Sequence, residues 1–414
     1  MLLEYLFYLL LGILAGTAAG LLPGLHVNNI GVMMLSAMSL LAIEPVAFAV
    51  FLTSMATTQT FIDFIPSIFL GVPDENTVLS LLPSHRLLLE GRGMEAVRIT
   101  AVASLYGVVI SLAILPLAFM IVPILYSAVR SAVVPILIFA ISYLILRERK
   151  PERILWAATT FFMAGYLGWT CLNLPVMSTS QVFLPMFSGL FGLSTLIMGI
   201  NTKSQSYPQD SDAEIRLDSK SLWRNSLLGS IGGLLVGLLP AMSPSQIGIV
   251  FQEMAALKGK AKDSLEDFRI RRFLTTVASL NTSDAMFSIF ALHLMNNPRS
   301  GISVILQDLF GQIDIWLLAL LCGVMLVSGL IAYNVHIYLG QKFSKLAGRI
   351  DFRKLSATGF IFVLVMVFAM TGPLGIAIAF VSMAVGLVPA LTGVSRTHCM
   401  GCLLLPTLLF FIGI

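Results

Sequence analysis

Two aspartates stand out because their surroundings are apolar. Asp63 follows Thr57-Thr58-Gln59-Thr60, and Asp284 follows Ser279-x-Asn281-Thr282-Ser283. A carboxylate within a stretch that crosses a bilayer is costly to keep there and by default marks an ion or proton path. Asp63 with Ser67, and Asp284 with Ser288, are four residues apart and share a helix face. Oxygen ligands without Cys or His suit a hard cation such as Na⁺, or a carboxylate that itself takes up the proton. Thr60, Asp63, Ser283 and Asp284 are therefore the candidate coupling-ion residues. A purely structural hydrogen-bond network would use the same side chains; the pattern's occurrence in both halves favours function.

A second polar set follows two glycine-rich runs. Gly12, Gly16 and Gly20 precede Leu21-Leu22-Pro23-Gly24-Leu25-His26-Val27-Asn28-Asn29-Ile30-Gly31. Gly229, Gly233 and Gly237 precede Leu238-Leu239-Pro240-Ala241-Met242-Ser243-Pro244-Ser245-Gln246-Ile247-Gly248, 217 positions later. Asp63-x-x-x-Ser-Ile-Phe and Asp284-x-x-x-Ser-Ile-Phe match at a shift of 221. Two motifs in one order at nearly one offset indicate an internal repeat. In each copy a helix halts at proline, a few polar residues follow, and a second apolar run begins. Arms of about 14 residues rise only about 21 Å, short of the roughly 30 Å hydrocarbon core, so a re-entrant hairpin is expected. Glycines four apart allow close helix approach. Non-helical backbone at membrane depth needs a protein or aqueous lining, and its free amides suit an anion. Gly24, His26, Asn28, Asn29, Ser243, Ser245, Gln246, Asn281 and Thr282 are the candidate substrate-binding residues, although the polar ones could instead cap their own helices.

The elements that must position these groups follow from composition. Of 414 residues, 57% are hydrophobic and 11% charged, too few charges to clothe a water-soluble surface. Apolar runs are continuous rather than alternating, which favours helices over a barrel. The fold class expected is an all-α polytopic membrane protein of two inverted-topology repeats, each with a re-entrant hairpin and about five transmembrane helices. Residues 1–200 form the first repeat (hairpin about 5–42), 201–225 a solvated polar linker, and 226–414 the second repeat (hairpin about 226–257). Crossings are expected at 46–70, 99–126, 131–146, 154–172 and 176–200, then at 273–293, 313–339, 356–370, 372–391 and 395–413. This count places the basic segments around Arg86–Arg98, Arg147–Arg153, Lys203–Arg224, Lys258–Arg272 and Lys342–Lys354 on one, cytoplasmic, side. Both termini then lie outside the cytoplasm. The N-terminal run has Glu4 and no basic region, which favours a retained helix over a cleaved signal.

Other features have plainer accounts. Cys399 and Cys402 resemble a Cys-x-x-Cys pair, yet no second ligand pair or βαβ pattern accompanies them, so these two, Cys171 and Cys322 are expected to be packed thiols. Asn173, His293, Asn334 and His336 have no repeat counterpart and are expected to make structural hydrogen bonds.

The stretches GLLPGLHVNNIG, SIFLGVPDENTVLSLLPSHRLLLEGRGMEAV, FLPMFSGLFGLSTLI and GLLPAMSPSQIG, in that order, resemble the large permease subunit of tripartite tricarboxylate transporters, in a short archaeal-like branch. The resemblance covers most of the chain. It implies import of a small organic anion, a carboxylate, on a Na⁺ or H⁺ gradient, with no cofactor beyond such an ion. It also implies a small membrane subunit and an extracytoplasmic solute-binding protein as partners, with membrane lipid around the chain and no nucleic acid. Homodimerisation is left open. Gly20, Pro23 and Gly24 fall on the family's first hairpin motif and Pro240 on its second. Pro240-Ala241 departs from the Pro-Gly of bacterial members, as does Val72-Pro73-Asp74, which bears on substrate specificity. Two other functions use the same features. A carrier or flippase of a lipid-linked phosphate would also aim helix ends at an anion. An intramembrane aspartyl protease would pair Asp63 with Asp284, but no Gly-x-Gly-Asp accompanies either, so an enzyme is not expected.

Overall fold

The structure is a computed structural model, describing residues 2–413 apart from 23–26, 39–41, 71–83, 85, 89, 132, 149, 174–178, 202–207, 239–262, 297, 299 and 348–351. The described residues are helical, with no strand among them. Among the described residues, six helices are long and apolar enough to cross a membrane, and shorter apolar helices accompany them. The chain is an all-helical, multi-pass membrane protein. Its contacts divide it into two compact units, 1–125 with 205–238 and 243–350, and 126–204 with 239–242 and 351–414. Each unit draws on both halves of the sequence.

In the first unit, α1 (Leu2–Leu21) stops just before Pro23 and α2 (Val27–Met38) follows. Next come α3 (Pro45–Ile62), capped by the Glu44 carboxylate accepting from the Ala47 amide, and α4 (Phe64–Leu70). The greater part of α5 (Gly93–Ser131) belongs here too. The second half supplies α10 (Ser219–Leu238), α11 (Asp263–Met295), α12 (Gly301–Phe310) and α13 (Ile315–Ala347). At 20 residues, α1 and α10 each rise about 30 Å. They are longer than the 14-residue arms expected, because the helix begins well before the first glycine of each run.

The glycines fix how these helices pair. A Cβ on Gly12 would fall 2.0 Å from Ser54 Oγ and 2.4 Å from Phe51 O; one on Gly229 would fall 2.0 Å from Ser279 Oγ and 2.3 Å from Thr276 O. No side chain larger than hydrogen fits at either crossing. One turn on, Gly16 meets Met55 and Thr58, and Gly233 meets Ser283 and Asp284; a further turn brings Gly20 to Ile62 and Gly237 to Phe287. Contacts advance together along both chains, so α1 runs parallel to α3, and α10 to α11. Parallel packing of α1 and α3 requires the chain to return between them, and α2 is the helix of that return.

Directions of the remaining helices follow in the same way. Glu95–Arg271, Ser104–Ala278 and Gly107–Ser283 keep a separation of 174 to 176 residues, so α5 and α11 are parallel. Val97 meets Gly340, Thr100 meets His336 and Val108 meets Gly329, so α5 and α13 are antiparallel. Val50 packs with Val324 and Phe69 with Phe343, so α3 and α4 run with α13. The pair α1–α3 therefore runs opposite to the pair α10–α11.

One end of this unit gathers charge. Glu95 accepts from Arg92 at 2.6 Å, from Arg271 at 2.8 and 3.1 Å, and from the Arg216 amide at 2.7 Å. Glu95 and Arg271 are both buried, and breaking such a pair from one side costs roughly 3–5 kcal/mol. Gln209 bonds Gly93 and Leu88, and Asp210 bonds Gly91. The stretch 208–218 of the linker is thus docked rather than freely solvated: the Gln209 side chain and the Asp210 backbone amide satisfy open backbone groups just before and at the start of α5, and Ala213 and Leu217 are buried. Three basic segments predicted to share a membrane face meet here, and the antiparallel α13 brings the fourth, beginning at Lys342, to the same end.

The second unit holds α6 (Val133–Leu146), α7 (Pro151–Leu172), α8 (Thr179–Phe187), a π-helical stretch Ser188–Leu193, α9 (Ser194–Asn201), α14 (Phe352–Thr392), a 3₁₀ turn Arg396–Met400 and α15 (Gly401–Ile412). At Gly372 in α14 the backbone leaves the helical region (φ 66, ψ −162). Gly359 packs on Leu196 and Gly386 on Leu190. A straight helix would part Gly359 and Gly386 by about 40 Å, so α14 doubles back at Gly372, as crossings at 356–370 and 372–391 require. Glu148 accepts from the Ser395 amide at 2.9 Å and pairs with His398 at 3.0 Å, while Arg396 donates to Thr195.

Candidate functional site

The polar residues of α3 and α11 meet in the first unit. Asn281 Nδ2 donates to Asp63 Oδ2 at 3.1 Å and to the Thr60 carbonyl at 3.4 Å. Asp63 ends α3: its amide still donates to the Gln59 carbonyl, and the chain turns there before α4. The same turn lets Gln59 Oε1 accept from the Val27 amide at 3.4 Å, tying the start of α2 to α3. Asn281 lies ten residues beyond Arg271 on α11, about 15 Å along the helix from the charged end. That is half the hydrocarbon thickness. Gln59, Thr60, Asp63, Asn281, Thr282 and Ser283 are all buried.

Asp284 differs. It follows Asn281 by three residues and so lies close to its face of α11. It is partly exposed rather than buried, and among the described residues nothing pairs with its carboxylate. Thr282, two residues earlier and so on another face of α11, is buried with a hydroxyl that has no partner among the described residues, and the same holds for Thr58. Oxygen atoms left open in this way are available to an ion. Ser283 is engaged elsewhere. Its hydroxyl donates to Ser230 Oγ at 2.9 Å and faces the Gly107 carbonyl at 3.3 Å, locking α11 to α10 and α5. The Thr60 hydroxyl is turned back onto the Thr57 carbonyl at 2.8 Å.

The packing corrects the register of the repeat. Ser54 matches Ser279, Thr58 matches Ser283 and Ile62 matches Phe287 against equivalent glycines, each pair 225 positions apart. Asp284 then corresponds to Gln59, and Ser288 to Asp63. The sequence match at 221 aligned the two aspartates, but in the folded pairs they sit one helical turn apart.

Thr60, Asp63 and Asn281 are therefore brought together, with Asp284 and Thr282 adjacent along α11. Asn28 and Asn29 occupy the first turn of α2, next to the amide that Gln59 holds; their side chains lie outside the described part. Pro23, Gly24, His26, Pro240, Ser243, Ser245 and Gln246 lie outside the described residues. Gln59, left by pattern matching as a neighbour of the candidates, joins them by its bond to the Val27 amide; its signal was an amide side chain one turn before the aspartate. His336, bonded to Thr100 at 3.1 Å, and His293, bonded to the Ile313 carbonyl at 2.6 Å, make structural hydrogen bonds as expected. Asn173 and Asn334 bond the Trp169 and Leu330 carbonyls four residues back. Cys171, Cys399 and Cys402 are buried thiols outside any disulfide, and Cys322 is partly buried. No group of three or more metal-binding side chains occurs among the described residues.

Comparison with known proteins fits this architecture. An uncharacterized protein of Methanocaldococcus jannaschii is 28% identical, over 98% of this chain and 99% of its own length. No solved structure matches. The model of the tripartite tricarboxylate transporter TctA family matches residues 6–401. A chain matched over nearly its full length, with paired glycine-rich helices, intramembrane carboxylates and many apolar spans, belongs to the tripartite tricarboxylate transporter TctA family.

Proposed function

We propose that this chain is the permease of a secondary transporter that moves a small organic anion, a carboxylate, across the cytoplasmic membrane on a Na⁺ or proton gradient. Asp284 carries the proposal: it is a carboxylate near mid-bilayer depth with no partner among the described residues, one turn from a hydrogen-bonded Asp63–Asn281 pair. A group that only held helices together would be expected to have its own partner there, because an unpaired charge in hydrocarbon surroundings is costly. Asp284 binds the cation or proton, and Asp63 is held by Asn281 as the fixed charge beside it. The start of α2, with Gly24, His26, Asn28 and Asn29, receives the anion on the positive end of its helix. Ser243, Ser245 and Gln246 supply the matching side. Gln59 links substrate to ion, since it holds the Val27 amide and lies on α3 one turn from Asp63.

The opposite directions of the α1–α3 and α10–α11 pairs support two inverted repeats, the arrangement suited to alternating access about a central site. The gathering of four basic segments at one end of the first unit supports placing that end in the cytoplasm. The start of α1 is then extracytoplasmic. The tripartite family implies a small membrane subunit and an extracytoplasmic solute-binding protein as partners. Uptake of radiolabelled citrate and smaller carboxylates into proteoliposomes tests the function. Accumulation under an imposed Na⁺ or proton gradient, with or without a binding protein, is expected; folded protein that moves none of them under either gradient would contradict it.

A further inference from the structure

A cavity of about 570 Å³ opens beside the charged end of the first unit, away from the Asp63–Asn281 pair. Arg98 of α5, the segment at Glu214 and Ile215, and Tyr333, Asn334 and Tyr338 of α13 line it. Arg98 Nε is buried and has no hydrogen-bond partner among the described residues. Arg98 as a whole is only partly buried and lines the cavity, so its guanidinium can meet an acceptor that enters there. Glu214, exposed at the rim, does not supply one: its backbone carbonyl is held by Arg92, and its carboxylate makes no bond to Arg98. The guanidinium fork suits two oxygens of one phosphate.

The depth and the flank say what carries that phosphate. The apolar spans of α5 and α13 each hold 32 residues and rise about 48 Å, more than the hydrocarbon core, so their ends lie at headgroup level. Arg98 is near one such end, and Tyr338, with Lys342 Nζ 5.4 Å above its ring, is near the other. On α13, Leu326, Leu330, Asn334 and Tyr338 recur every fourth residue and form one stripe. Leu326 and Leu330 are exposed, and Tyr338 is 58% exposed. An apolar lane therefore rises from the membrane interior to a tyrosine-lined cavity with Arg98 in its wall and Lys342 above Tyr338, which is the profile of a phospholipid lying along a helix.

We infer that this cavity binds the phosphate of a membrane phospholipid, with Arg98 as its ligand and the Leu326–Leu330 lane as the bed of an acyl chain. The site is independent of the transport function proposed above. Native mass spectrometry of the full-length protein in detergent tests it, with phosphatidylglycerol and the diacylglycerol of the same chains as probes. Wild type is expected to retain phosphatidylglycerol roughly tenfold better than diacylglycerol, and Arg98→Gln to lose that preference. Leu330→Glu, which puts a charge in the lane, is expected to lower phosphatidylglycerol retention roughly tenfold even should Arg98→Gln fail to fold. Equal retention by folded wild type and Arg98→Gln, or by wild type and Leu330→Glu, would overturn the site. Release of the lipid by millimolar inorganic phosphate would also overturn it, since a free anion would then suffice.

Discussion

The two glycine-packed helix pairs are built alike and equipped differently. Gly12 on Ser54 and Gly229 on Ser279 are the same crossing, to within 0.1 Å at the nearest backbone carbonyl. Beyond it the first pair carries Gln59 and Asp63, and the second carries Asp284 and Ser288 at the same two positions. In the first, the carboxylate is buried and bonded to Asn281, and the amide side chain anchors α2. In the second, the carboxylate stands one turn earlier, partly exposed and unpaired among the described residues. A shared scaffold with a one-turn displacement of charge leaves one carboxylate bonded and one without a partner among the described residues. Under the transport function proposed above, the second is the one that binds the coupling ion.

Breaking the open side should have the largest effect. Asp284→Asn is expected to reduce gradient-driven uptake at least about 100-fold while leaving the melting temperature within a few degrees, since no bond is lost. Uptake assays alongside thermal unfolding in detergent check both halves of that statement. Next come the crossings: Gly12→Val and Gly229→Val should each destabilise by roughly 2–3 kcal/mol or prevent folding, and to similar extents. A wide disparity between the two would break the equivalence of the pairs. On the fixed side, Asn281→Ala removes the partner of a buried carboxylate and should cost about 1–3 kcal/mol, read by chemical denaturation. Asp63→Asn, which preserves shape, should cost less and leave more uptake than Asp284→Asn. The reverse order would exchange their roles. The smallest effect is expected from Ser283→Ala, about 1 kcal/mol from the lost bond to Ser230, with uptake retained.

The glycine-packed crossings are legible in the sequence because only glycine fits there, and the two glycine runs recur in order. Among the described residues, five of the six helices long and apolar enough to cross fall on expected crossings, since long apolar runs have few alternatives. The sixth, Leu2–Leu21, falls where a hairpin arm too short to cross is expected. The register of the aspartates is not legible. Matching identical letters aligns Asp63 with Asp284, whereas the glycine contacts shift the pairing by four residues. A slip of one turn keeps the same face of a helix towards its neighbour, so periodicity cannot detect it. The Glu95–Arg271 pair is hidden for another reason: its partners are 176 residues apart, and Arg271 reads as one more basic loop residue. The linker's polar composition suggests solvent, yet the Gln209 side chain caps α5 and the Arg216 backbone amide donates to Glu95. The α14 hairpin, by contrast, is visible in Gly372-Pro373 between two apolar runs, where a turn is the conformation those residues favour.

Alternating access between the repeats requires the two pairs to enter the membrane in opposite directions. Single cysteines at Leu3 and Lys220, the exposed starts of α1 and α10, can be placed in a chain whose four native cysteines are replaced by alanine. Each is then labelled with a membrane-impermeant maleimide in right-side-out and inverted vesicles. Labelling of position 3 only in right-side-out vesicles and of position 220 only in inverted ones is the result expected. Labelling of both from the same side would mean that the pairs run together, and no alternating-access site of the kind described could form between them.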